Sequence, residues 1–326
     1  MQPTSLSRQK IRALIAEGEC ALAEGPHPER ARFDAEAIIL HLFRRDNPQR
    51  NLAWLIAHWN NPTGHGTEFR TLIERRRTGE PIQYILGEAE FYGLPFRVTP
   101  DVLIPRPETE HLVEKVIEVA AQFVPSGAKA PSDFVAPAGP LKSCLETAVS
   151  DSPASMGLRI VDVGTGSGAI AVALAHKLPQ AAVTGIDLSG AALAVARENA
   201  RRNGVSIRFL EGDLLAPVAG EQFDLVVSNP PYVPQGDRET LSVEVRDHEP
   251  ALALFAGGDG LEVYRRLIPD ASAVLVAGGL LALEIGYGQS AGIAGLLARS
   301  GFEKIEFVPD LQGIPRVACA QKPPAH

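Results

Sequence analysis

From Leu158 onward, short apolar runs alternate with helical stretches: LRIVDVG, AIAVALAHKL, AVTGIDLS, AALAVARENARRNG, IRFLEGD and FDLVVSNPPYV. Strands that are apolar along their whole length need cover on both faces, so the alternation predicts a parallel sheet with helices on each side. GGLLALEIG (278–286) reads as one more buried strand, and FEKIEFVPD with PRVACAQ as a terminal strand pair. The expected fold is therefore α/β and Rossmann-like. The chain shows no internal repeat.

The first third differs in kind. Apolar residues recur there at helical spacing, with Ile11, Leu14, Ile15 and Leu22 in one segment and Phe33, Ala37, Ile38 and Leu40 in the next. Turn-rich GPHP (25–28) and NNPTGHG (60–66) separate the segments, which predicts a small helical domain over 1–86. A helix near 67–78 carries Arg75, Arg76 and Arg77, a run read as a solvated face in preference to a contact surface for an anionic macromolecule. Residues 87–104 read as a linking hairpin turning at Gly93, and 105–326 as the second domain. Helix 105–124 of that domain opens with Pro107, Glu108 and Glu110, where proline and negative charge are both tolerated. Residues 125–157, rich in Pro, Ala, Ser and Gly, read as a flexible insertion.

Charge adds a weak constraint. There are 14 basic and 15 acidic residues through position 110, against 17 and 24 beyond it, so the second domain carries nearly all the net −8. That balance opposes non-specific phosphate binding, and no direct nucleic-acid partner is expected. Cys20, Cys144 and Cys319 lie far apart without ligand spacing and are read as reduced structural thiols. Neither HExxH nor CxxC occurs, so no metal is expected. The MQPTSLSRQK start has no apolar core of a leader, and no uncharged 18-residue apolar run follows. A cytoplasmic protein without a membrane partner, monomeric by default, is the expectation.

Candidate chemistry gathers at strand ends. Gly164, Thr165, Gly166, Ser167 and Gly168 follow the first strand and open a helix, a turn that lets a ligand approach the backbone. Asp187 ends the second strand 23 residues after Gly164, where a carboxylate can accept both ribose hydroxyls. Asp213 ends the third strand. Capping of the following segment is the plainer role for either acid, with Ser189 an alternative cap after Asp187. The loop lacks a GK[ST] ending, which disfavours ATP and leaves a dinucleotide or an adenosyl cofactor.

Asn229-Pro230-Pro231-Tyr232 decides between them. The prolines stiffen the segment and remove amide donors, so the Asn229 side-chain oxygen and the Pro230 carbonyl can converge on one ligand NH2 group while Tyr232 packs on its flat face. At these residues the chain resembles the S-adenosylmethionine-dependent amino-methyltransferases. RRRTGEPIQYILGEAEFYGLPFRVTPDVLIPRPETEHLVE (75–114), DVGTGSGAIAVALA (162–175), FDLVVSNPPYV (223–233), EVRDHEPALALFAGGDGLEVYRRL (244–267), LEIGYGQ (283–289) and DLQGIPRVACA (310–320) narrow the resemblance to the peptide chain release factor glutamine methyltransferases, the PrmC/HemK family.

The resemblance implies that Gly164, Thr165, Gly166, Ser167, Gly168, Asp187, Asp213, Leu214 and Asn229 line an S-adenosylmethionine site, with Asp187 on ribose and Leu214 beside adenine. Asn229, Pro230, Pro231 and Tyr232 would hold the substrate, and Asn229, Pro230 and Tyr232 would carry catalysis. The implied substrate is the glutamine of the GGQ motif in class I peptide chain release factors, with the helical domain docking it. Competing readings are a ribosomal-protein glutamine, a nucleic-acid amine, a cofactor-binding or RNA-binding module without activity and an NAD-dependent dehydrogenase. Intact GTGSG and NPPY argue against the inactive module. For Arg106, Glu108 and Glu110 a substrate-side role stays open beside helix-start electrostatics; His248 in EVRDHEP reads as a loop-ordering side chain.

Overall fold

The computed structural model describes residues 9–123, 157–310 and 312–325. Almost all of the 125–157 stretch, with Cys144, lies outside the described residues. The chain divides into two compact units. One holds the described residues up to Ala89 together with Val98–Ile104 and Asp237–Pro250; the other holds Glu90–Arg97 and the described residues of 105–236 and 251–326. The segment 237–250, which the sequence reading runs on within 105–326, thus belongs with the helices of the first third. Among the described residues, no helix is long and apolar enough to cross a membrane.

The first unit is built from helices Ile11–Leu22, Ala31–Asp46, Leu52–Ala57, Gly66–Arg77 and Ile82–Leu86. Its core gathers Ile11, Leu14 and Ile15 with Ile38, Ile39, Leu42, Phe69 and Ile73, the i, i+3, i+4 stripe of each helix turned inward. Phe33 is not part of that stripe: it is 62% exposed, and the Arg30 guanidinium lies over its ring.

The arginine run also departs from its expected role. Arg76 follows Phe69, Leu72 and Ile73 on one helix face and is only 3% exposed. Its Nε donates to buried Asp34 at 2.6 Å and its Nη1 to the Glu80 carbonyl at 3.0 Å and to Glu244. Arg75 and Arg77 stay outside and pair with Glu80 and Glu74. Glu244 sits on the helix Val243–His248, so Arg76 anchors the 237–250 segment from inside its own unit. Gly79 makes room for this helix: its φ is +96°, and a Cβ there would meet Val243 Cγ1 at 2.6 Å.

In the second unit the strands are β1 (Glu88–Phe91, shared with the first unit at its start), β2 (Leu94–Arg97), β3 (Arg159–Val163), β4 (Ala182–Asp187), β5 (Arg208–Glu211), β6 (Phe223–Ser228), β7 (Leu275–Glu284), β8 (Glu303–Pro309) and β9 (Pro315–Gln321). β1 and β2 form a small hairpin, and the rest one sheet in the order β5-β4-β3-β6-β7-β9-β8. The pairs from β5 through β7 are parallel; β7–β9 and β8–β9 are antiparallel. This is the expected Rossmann-like α/β sheet, ending in the expected strand pair.

Each face carries its own core. One gathers Leu112, Val116, Ile170, Leu174 and Leu225; the other, Val161, Ile186, Tyr264, Leu267 and Leu281. Strand order reverses between β3 and β6, which opens a crevice at their C-terminal ends. Every strand-end motif singled out in the sequence follows one of the parallel strands.

Arg76→Ala would leave the buried Asp34 carboxylate with only the longer 3.4 Å contact from Arg30 Nε, an expected loss of about 3 kcal/mol in urea unfolding. Arg77→Ala, which removes an exposed partner of Glu74, should cost less than about 0.5 kcal/mol; comparable losses in the two variants would refute the buried-anchor assignment.

Candidate active site

The crevice is assembled from backbone outward. Val163 and Ser228 are register partners at the ends of β3 and β6, and Ser228 Oγ donates to the Val163 carbonyl at 2.6 Å. The two loops that leave these strands therefore start side by side. The glycine-rich loop then turns toward β4: Gly164 and Thr165 donate their N–H groups to the Ile186 carbonyl at 2.8 and 2.9 Å. Gly164 adopts φ +71°, and a Cβ built on it meets nothing within 4 Å. Open space over a left-handed glycine is what a ligand lying on this backbone requires.

Asp187 closes the loop from the other side. Its Oδ2 accepts from Gly166 N at 2.8 Å and its Oδ1 from Ser189 N at 2.9 Å. Two oxygens offer about four acceptor positions, so capacity remains for two ligand hydroxyls. The helix Gly190–Arg202 takes its cap from Ser189, whose hydroxyl accepts from Ala192 N at 3.1 Å. Asp213 does not end the strand as expected: β5 stops at Glu211, and Asp213 opens the turn that follows, where its carbonyl accepts from Ala216 N at 3.1 Å and its side chain pairs with Arg266. Next to it Leu214 takes a left-handed φ of +49°.

Beneath the loop, Asp162 is wholly buried. Its Oδ2 accepts from Thr165 Oγ1 at 2.6 Å, while its Oδ1 has no hydrogen-bond partner. Burial pushes its carboxyl up to about 7, against the opposing Thr165 hydrogen bond.

Asn229, half-buried, lies one residue past β6. Its Nδ2 donates to Thr109 Oγ1 at 3.1 Å, and Thr109 Oγ1 donates to Glu284 Oε2 at 2.6 Å. Glu284 is the last residue of β7, and its other oxygen faces the Tyr232 hydroxyl at 3.4 Å. Burial raises this carboxyl to about 7. Tyr264, buried beneath, donates to the Glu284 carbonyl at 2.7 Å. The rest of the Asn-Pro-Pro-Tyr loop is pinned by Gln289, whose Nε2 donates to the Tyr232 carbonyl at 2.9 Å and whose Oε1 accepts from Gly286 N at 2.9 Å. A glycine-rich loop and an amide-bearing loop thus stand at adjacent strand ends, the first over buried Asp162 and the second over buried Glu284.

Known protein families match both parts of the chain. A family model described as the PrmC N-terminal domain matches residues 13–87, and one described as the methyltransferase small domain matches 143–285. The chain is 39% identical to a protein of Koribacter versatilis over 92% of this chain and 94% of that one, and 40% identical to one of Moorella thermoacetica over 96% and 98%. A protein of Geobacter sulfurreducens is 42% identical over 76% of this chain and 75% of its own. Each of the three is named release factor glutamine methyltransferase. The chain belongs to that family.

Within this methyltransferase, the sequence-derived site residues divide between two supports. Gly164–Gly168 and Asp187 hydrogen-bond to one another's neighbourhood around the end of β4, and Asn229 through Tyr232 gather around the end of β7. Sequence spacing assigns no role to Thr109, Glu284, Tyr264 or Gln289. One signal was available: Glu284 closes an otherwise uncharged ten-residue strand, LVAGGLLALE, at the sheet edge where the other motifs lie. Glu110, weighed for helix-start electrostatics, accepts from Tyr92 N in the β1–β2 turn at 2.8 Å. His248 ends its short helix in the other unit. Among the described residues no group of three or more His, Cys, Asp or Glu is arranged to hold a metal ion.

Asp162 generates a pH prediction. Its proton is held more tightly in the folded chain than at the ordinary 3.8, so its contribution to stability is full below about pH 4 and declines as pH rises to about 7. Asp162→Asn keeps an acceptor for Thr165 and removes that decline. Its stability relative to wild type should therefore improve by more than about 1 kcal/mol between pH 5 and pH 8, read from urea midpoints; a difference independent of pH would show that the carboxyl does not titrate in this range.

Proposed function

We propose that this chain transfers a methyl group from S-adenosylmethionine to the side-chain amide nitrogen of the glutamine in the GGQ motif of class I peptide chain release factors. The observation that carries the reading is the orientation of Asn229. Its amide nitrogen donates to Thr109 Oγ1, which leaves its oxygen as an acceptor. An acceptor pair made of this oxygen and the Pro230 carbonyl suits a primary amide, which brings two N–H donors. The names of the relatives support release factor glutamine as that amide.

The residues present fit the cofactor. The backbone under Gly164 is open to a ligand, Asp187 keeps free acceptor capacity, and no lysine of a phosphate-binding loop follows Gly168. Gly164 through Gly168 and Asp187 would hold the adenosyl and methionine parts, with Asp213 and Leu214 bordering adenine. When bound, S-adenosylmethionine supplies a methyl group on a cationic sulfur and departs as S-adenosylhomocysteine.

A primary amide nitrogen is a weak nucleophile because its lone pair is delocalised into the carbonyl. The loop's contribution is to orient it. Two acceptors drawing on the two N–H groups favour a pyramidal nitrogen whose lone pair points along the line of attack. Accepting the methyl group would make this nitrogen acidic, and its proton would then pass to water. Tyr232 is no base for this step, because burial beside Glu284 holds its hydroxyl protonated well above the usual phenol range.

Mass spectrometry of release factor after incubation with the enzyme and S-adenosylmethionine should find one added methyl on the GGQ glutamine, with ribosomes and DNA unlabelled in parallel reactions. Methyl on a ribosomal protein or on DNA alone would overturn the substrate assignment. Asn229→Ala should lower kcat about 100-fold while changing cofactor affinity less than about threefold. In Asp187→Ala, calorimetry should find S-adenosylmethionine binding weakened at least about tenfold; unchanged affinity would remove the ribose assignment.

A further inference from the structure

The Asn-Pro-Pro-Tyr loop can serve an amide only if the Asn229 side chain presents oxygen to it. Rotation of the terminal amide by half a turn would present NH2 instead, and two NH2 groups would then face each other. Asn229 itself does nothing to prevent this, since its two ends have the same shape.

We infer that Thr109 and Glu284 are positioning residues that set the direction of the Asn229 amide by a one-way hydrogen-bond relay. The proposal deepens the functional reading above and rests on it for the identity of the incoming amide. Its logic runs outward from the buried carboxylate. Glu284, 3% exposed, can only accept when ionised. Thr109, 4% exposed, has one hydroxyl proton, and its Oγ1 lies 2.6 Å from Glu284 Oε2, so with that carboxyl ionised, above about pH 7, the proton is committed there. The Thr109 oxygen is left with lone pairs only. Asn229, 3.1 Å away, must therefore meet it with Nδ2, which leaves its Oδ1 free of Thr109 to serve as an acceptor.

The relay is held rigidly. Glu284 is the final residue of β7, paired with Val317 of β9, and its carbonyl accepts from the buried Tyr264 hydroxyl. Thr109 closes the short helical turn Pro107–Thr109 before the helix Glu110–Phe123. A side chain locked at both ends orients its partner without touching the reacting atoms. The same carboxylate faces the Tyr232 hydroxyl, so both polar groups of the loop refer to one buried acid.

The test uses the full-length enzyme with S-adenosylmethionine and release factor. Thr109→Val keeps the shape and removes the relay; kcat should fall about 10–100-fold, with cofactor affinity within about twofold of wild type. Thr109→Ser should restore kcat to within about threefold, because it returns the hydroxyl. In Asn229→Ala, adding Thr109→Val should cost nothing further, since Thr109 acts through Asn229. A readout independent of turnover is the side-chain NH2 resonance of Asn229 in a 15N spectrum of the cofactor-bound enzyme, assigned by its loss in Asn229→Ala. It should move in Thr109→Val and in Glu284→Gln, and return in Thr109→Ser. Wild-type kcat in Thr109→Val, additive losses in the double variant, or an unmoved resonance would each overturn the relay. Should Thr109→Val not fold, the resonance in Glu284→Gln decides in its place. A wild-type enzyme that leaves release factor unmethylated overturns the functional reading instead, and the resonance still decides what Thr109 does to Asn229.

Discussion

The parallel pairing of β3 with β6 governs everything at the crevice. Strand order reverses at this pair, so the chain leaves β3 for one side of the sheet and β6 for the other, and a gap opens between the departing loops. The Ser228 hydroxyl bonded to the Val163 carbonyl holds the two strand ends level. A glycine-rich turn on one strand and a proline-stiffened turn on the next then confront the same small volume.

Around that gap the protein uses carboxylates in three different ways. Asp187 is a half-exposed acceptor that organises the loop through backbone N–H groups while keeping capacity for a ligand. Asp162 is buried under the same loop and tied to Thr165. Glu284 is buried at the far side and faces Thr109 and Tyr232. The helical unit repeats the theme with opposite outcome: there the buried acid, Asp34, is matched by a full cation, Arg76, and the pair is structural. What separates the cases is the partner. A guanidinium neutralises a buried carboxylate outright, whereas a hydroxyl only directs it, which leaves the charge sensitive to pH and the hydroxyl committed as donor.

Arg76 also illustrates why the helical region was harder to read than the sheet. Three consecutive arginines look alike in sequence, yet a helix advances about 100° per residue, so no two neighbours share an environment. Arg75 and Arg77 flank a residue that points to the core. Its partner Glu244 lies 168 positions away, a distance at which no local pattern connects them. Phe33 lies outside the core for a related reason: along the sixteen-residue helix Ala31–Asp46 two apolar stripes can be traced, and only packing against Ile11, Leu14 and Phe69 selects the one through Ala35, Ile38 and Leu42.

Local chemistry written along the chain was sufficient for the sheet, its strand ends, the glycine turn and the Asn-Pro-Pro-Tyr loop, because each depends on residues adjacent in sequence. Apolar runs of strand length leave few alternatives once helices alternate with them, and proline and glycine restrict the backbone wherever they stand. Tertiary structure alone decided which polar groups support those loops. Thr109, Asn229 and Glu284 come from three widely separated segments and meet only because β6 and β7 pair in register and the turn at Pro107–Thr109 comes to the same end of the sheet. The direction of a hydrogen bond among them is set by which group is buried with a charge, a property no residue carries before the chain has folded.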